Sequence, residues 1–156
     1  MPLHLRSAVE DDCPAIGLIT TRAFRNGLSG VYFPPHLKAL TTEDEEVPWR
    51  VARALKRMRQ GLESVVAVDL VDGSEIVVGF AQWEAPLPPG QADREIVPSP
   101  ENDGLVSLDR DALDRLVKDQ EYATRVALGP DRHRYMWCTC FISGRNQWPE
   151  STDLLT

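Results

Sequence analysis

Apolar and polar residues change period along this chain, and each change marks an element. "LHLRSA", Leu3 to Ala8, alternates apolar and polar positions, the pattern of a strand buried on one face. "EDDCPAIGLITTRAF" then shifts to helical spacing, with Ile16, Ile19 and Ala23 as its expected buried stripe. Asp11 or Asp12 is placed to cap that helix, and Pro14 suits its first turn, where no amide partner is lost. The helix should fail at "RNGLSG", where Gly27 and Gly30 loosen the backbone.

"VYFPPHLKALTTEDEE" reads as irregular, with paired prolines followed by an acidic cluster. "PWRVARALKRMRQGLE" predicts a second helix opening at Pro48, with Val51, Leu55, Met58 and Leu62 on one face. Arg50, Arg53, Lys56, Arg57 and Arg59 cover much of the remainder and read as a solvated basic face.

"VVAVDLV" and "EIVVGFAQWE" are β-branched runs joined by a turn at Asp72-Gly73, which predicts a β-hairpin over Val65 to Glu84 at the centre of the sheet. Gly79 within the second run marks a bulge or a close approach. "PLPPGQADREIVPSPENDG" is a polar, proline-rich insertion. A third helix follows, with Ser107 as expected cap, Leu108, Ala112, Leu116, Ala123 and Ala127 as expected stripe, and Gly129-Pro130 as its stop. "HRYMWCTCFI" returns to strand composition. The pattern predicts one α/β (α+β) domain of about four strands in a mixed, mainly antiparallel sheet, with three main helices packed on it. Tyr135 to Ile142 is expected to pair beside the second hairpin strand.

Composition narrows the partners. The 156 residues carry a formal net charge of −7, which argues against nucleic acid, since phosphate recognition needs clustered positive charge. Hydrophobic residues make up 42% and charged residues 26%, as in a soluble globular protein. No apolar run approaches the ~20 residues that cross a bilayer, and "MPLHLRSAVEDD" lacks the apolar core of a signal peptide, so no membrane partner and a cytoplasmic location are expected. Cys13, Cys138 and Cys140 form neither a disulfide framework nor a spacing suited to structural zinc. They read as buried apolar cysteines with no metal.

The order strand, helix, helix, hairpin, helix, strand, together with "LHLRSAVEDDCPAIGLITTRAF", "WRVARALKRMRQ", "VVAVDLVDGSEIVVGFAQWEAP" and "GPDRHRYMW", resembles the GNAT-type N-acetyltransferase superfamily, in particular its fungal small-molecule members. The matching pieces span about residues 3–137, and the hairpin ending in "GFAQWE" is the most specific. The resemblance implies an acyl-CoA-dependent transferase acting on a small-molecule amine, with acetyl-CoA as donor. In that superfamily the next strand runs into a segment of the form Gln/Arg-x-x-Gly-x-Gly/Ala at a helix start, whose exposed amides hold the coenzyme A pyrophosphate.

Here "SGRNQWPESTDLLT" carries Gly144 and Arg145 in the reverse order, with no second glycine after them. The expectation is therefore an incomplete GNAT-like domain over residues 1–142 and a tail over 143–156 that departs from the family. No cofactor-binding residue is assigned. An altered gene reading near Trp137 and an evolved short form both explain the departure, and the alternative function is a noncatalytic remnant or partner-binding protein.

Within the resemblance, Glu84 is the candidate base for the amine, directly or through water, with Tyr135 and His133 as further candidates. Phe24, Tyr32, Phe33 and Trp83 are the expected lining of the acceptor pocket. Left without the family's later strands, the sheet should end in an open edge that invites self-association.

Overall fold

The computed structural model describes residues 3–25, 27–83, 104–128 and 139–142. Strand β1, His4–Ser7, leads through a 3-10 turn at Glu10–Asp12 into helix α1, Cys13–Phe24. Short helices α2, Ser29–Tyr32, and α3, Pro35–Lys38, precede the long helix α4, Glu46–Arg59. Strands β2, Glu63–Val71, and β3, Ser74–Trp83, form the hairpin. Helix α5, Arg110–Leu128, and strand β4, Thr139–Ile142, complete the described elements.

The sheet runs in chain order, β1-β2-β3-β4, and every pairing is antiparallel. This is the mixed α/β class expected from the sequence, with the hairpin at the centre. Asp72 (φ 52°) and Gly73 (φ 80°) are both left-handed, the backbone of a type I′ turn whose twist matches its flanking strands. Ala67 pairs with Gly79 while Val68 pairs with Val77, so Val78 is the extra residue of a β-bulge beside Gly79. Strand β4 pairs with β3 through Gly79↔Ile142 to Gln82↔Thr139, beside the second hairpin strand as expected.

Helices α1 and α4 pack on one face of this sheet. Cys13, Ile16, Ile19, Ala54, Val66, Val68 and Phe80 form the main core, with Val51, Leu55 and Met58 packed against it. A Cβ at Gly17 would lie 2.5 Å from Val51 Cγ2 and 3.0 Å from Val51 N, so only glycine lets the helices approach this closely. Cys13 is buried as expected; its Sγ donates to Met58 Sδ at 3.5 Å, and desolvation pushes its thiol pKa up.

Several expectations need correction. Ala23, Ala123 and Ala127 are exposed; the second half of α5 runs clear of the core, with Tyr122 and Val126 also at the surface. The cap of α5 is Asp109, whose Oδ1 accepts from Ala112 N–H at 2.8 Å, while Ser107 is engaged by Glu45. Asp12 does not cap α1 with its side chain; it accepts from Val9 N–H at 2.8 Å and from two nitrogens of Arg6 at 2.8 and 2.9 Å. These bonds, the pair with Arg6 first, hold the Asp12 carboxyl below its ordinary range against the opposing effect of burial. Within the stretch expected to be irregular, residues 31–32 close α2 and Pro35–Lys38 form α3, while residues 39–45 are irregular as expected.

Candidate functional site

The largest departure from a surface reading lies where α4 meets α2 and α3. Arg50, expected on the solvated basic face, is 6% exposed, and Glu46, one turn earlier, is 2% exposed. Arg50 Nε and Nη2 donate to Glu46 Oε1 at 3.1 and 2.9 Å. The same Nη2 donates to Ser29 Oγ at 2.7 Å and to the Tyr32 hydroxyl at 3.0 Å. Lys38 reaches back from α3 to the other oxygen of Glu46. Burial works to raise the Glu46 pKa, but hydrogen bonds from Lys38, Ser29 and Arg50 outweigh it and leave the carboxyl below its ordinary range.

Aromatic rings surround this network. The Arg50 guanidinium lies 5.5 Å from the Phe24 ring centroid and 5.7 Å from those of Tyr32 and Trp49. Phe33 meets Trp49 edge-on at 5.3 Å and Tyr32 at 5.6 Å. Tyr32, Phe33, Trp49, Leu108 and Leu113 form a second buried cluster. Three of the four expected lining residues, Phe24, Tyr32 and Phe33, are therefore brought together, with Phe24 half-buried and the other two inside the cluster. Trp83 stands apart at the end of β3, its Nε1 donating to Glu63 Oε2 at 2.7 Å. Glu84, Tyr135 and His133 lie outside the described residues.

Sequence reasoning missed Glu46, Trp49 and Arg50 as a unit. A local signal was present: Glu46 and Arg50 stand at i and i+4, the spacing that pairs charges along a helix. That spacing does not distinguish a solvated pair from a buried one; the return of α2 over the pair does. Glu45 performs a parallel task for the approach to α5. Its carboxylate accepts from Ser107 Oγ (2.6 Å), Ser107 N–H (2.7 Å) and Val106 N–H (3.2 Å), which lower its pKa.

An acyl-CoA donor would need free amides at a helix N-terminus for its pyrophosphate. Among the described residues, each long helix begins with carboxylates of its own. Asp44 Oδ1 accepts from Glu46 and Val47 N–H at the start of α4. Asp109 caps α5, and Glu10, Asp11 and Asp12 precede α1. These carboxylates occupy the amides at the starts of α4 and α5, and the stretch where the superfamily's pyrophosphate segment would follow β4 lies outside the described residues. No three or more of the described His, Cys, Asp and Glu side chains gather as a metal site. No described helix is long and apolar enough to cross a membrane.

The fold and site thus define a mixed α/β protein with an antiparallel sheet, flanking helices and a buried Arg–Glu–aromatic cluster. No family model and no curated protein matches the chain. Among solved structures, an N-acetyltransferase from Staphylococcus aureus Mu50 is similar at 20% identity with a TM-score of 0.36, over 79% of this chain and 68% of that one. A likeness of that size carries no functional argument.

Proposed function

We propose that this chain is an N-acetyltransferase-like protein of the GNAT type, close to the fungal small-molecule members, and that its described part corresponds to the acceptor half of such an enzyme. The observation that carries this reading is the order of elements. One strand, helices, a bulged hairpin, a helix and a returning strand follow one another in a sheet arranged in chain order. The elements from β1 to β3 carry most of the residues on which the resemblance rests, while "GPDRHRYMW" lies outside the described residues. The acceptor is a small organic amine rather than a basic peptide, a reading supported by Phe24 and Tyr32 gathered at the Arg50 guanidinium with Phe33 beside Tyr32, while Trp83 stands apart. Glu84 takes the amine proton, with Tyr135 and His133 as further candidates.

Donor binding is impaired in this reading. The described helix starts are occupied by acidic side chains, and "SGRNQWPESTDLLT" lacks the Gln/Arg-x-x-Gly-x-Gly/Ala pattern. The same observations favour a second reading, a noncatalytic GNAT-like remnant that serves as a partner-binding protein. Isothermal titration with acetyl-CoA, adenine nucleotides and a panel of aromatic amines separates the two. The proposal expects saturable heat with an amine and none with micromolar acetyl-CoA. Stoichiometric binding of acetyl-CoA, absent with adenine nucleotides, would overturn the impairment. Silence from every amine would leave the remnant.

A further inference from the structure

We propose that residues 28–40 form a strap that opens as one unit together with residues 105–117, leaving the hairpin core closed. This deepens the acceptor reading above and rests on it only for the strap's purpose. Helices α2 and α3 have four residues each, far below the length at which a helix persists alone. Their order depends on ties to α4. Ser29 and Tyr32 accept from Arg50, and Lys38 pairs with Glu46. The neighbouring residue, Glu45, holds Val106 and Ser107 at the approach to α5. One further bond joins the two moving pieces directly: Asp109 N–H donates to the Tyr32 carbonyl at 2.8 Å.

Consecutive carboxylates at the start of α4, Glu45 at its N-cap and Glu46 in its first turn, thus fasten two segments that are also tied to each other. Between them lies the second apolar cluster, to which Tyr32 and Phe33 contribute from one segment and Leu108 and Leu113 from the other. The main core draws on α1, α4 and the hairpin, and none of its members comes from either segment. Separation of the two clusters allows one to part while the other holds, the condition for a sub-global opening. The consequence concerns ligand access. Tyr32 is 6% exposed and Phe33 1%, so these rings meet a ligand only when the strap lifts. An aromatic amine that binds them selects the open state.

Hydrogen exchange of the full chain, read by mass spectrometry at neutral pH, tests the strap without any ligand. Peptides over 28–40 and 105–117 should share one opening rate, at least tenfold faster than peptides over 63–83. Lys38→Ala removes a tie on the strap side and Glu45→Gln weakens one on the α5 side. Each should speed exchange in both segments together by about fivefold, the effect of one partly exposed hydrogen bond, and leave 63–83 unchanged. Acceleration confined to the segment touching the substituted residue, or spread equally into the hairpin, would overturn the proposal. The acceptor reading fails separately: benzylamine at millimolar concentration, by selecting the open state, should speed exchange over 28–40, and no change would reject that reading while the strap stands.

Discussion

Replacing Arg50 with methionine tests the physical account of the site most directly. Methionine is unbranched and fills much of the volume left by the arginine stem, so the change is mainly one of charge and hydrogen bonding. Arg50→Met removes both bonds to Glu46 and leaves Ser29 Oγ and the Tyr32 hydroxyl without that donor. It also strands a carboxylate that is 2% exposed. Breaking a buried pair from one side costs about 3–5 kcal/mol. Lys38 still reaches Glu46, so the lower end, about 3 kcal/mol, is expected. That is a large fraction of the ~5–15 kcal/mol that holds a domain folded.

Urea unfolding measures this loss as a lowered midpoint at unchanged slope. The control is the double variant Glu46→Leu with Arg50→Met, which removes both buried charges. Its cost should fall to about 1 kcal/mol, since well-packed apolar replacements of buried pairs approach neutrality and Lys38, with 43% of its side chain exposed, can turn to water. The pH dependence follows with a definite sign. Because the folded Glu46 carboxyl titrates below its unfolded value, its contribution is complete above the unfolded value and is lost as pH falls through the folded one. Glu46→Gln should remove that part of the acid slope. A loss below about 1 kcal/mol for Arg50→Met, or a double variant costing the sum of its singles, would refute the buried-pair account.

Other outcomes follow from single positions. Gly17→Ala should lower the melting temperature although alanine favours helix by about 1 kcal/mol, because overpacking against Val51 costs about 1–3 kcal/mol; an unchanged or raised melting temperature would contradict the close α1–α4 approach. Gly73→Ala places a Cβ at φ 80° and should cost about 1 kcal/mol by chemical unfolding, whereas Gly30→Ala, with open space around it, should not show that penalty. Strand β4 ends the sheet among the described residues, and an open edge there predicts a mass above monomer in light scattering at high concentration. A constant monomer mass across the concentration range would count against it.

What the chain reveals on its own is what neighbouring residues decide. The hairpin is legible because Asp72-Gly73 suits its turn without help and the flanking β-branched runs have a two-residue period. Helices α1 and α4 are legible because their apolar positions recur at helical spacing, and the bulge is legible because Gly79 interrupts a strand. The partner of each polar group is set by distant chain. Ser107 looks like a cap until Glu45, far back in sequence, takes its hydroxyl and leaves the helix start to Asp109. Arg50 looks solvated among Arg53, Lys56 and Arg57 until α2 folds back and encloses it. Ala123 and Ala127 carry the right spacing for a buried stripe, yet α5 outruns the surface it packs on. Periodicity reports which face of an element is apolar; whether another element lies against that face is decided only by the tertiary fold.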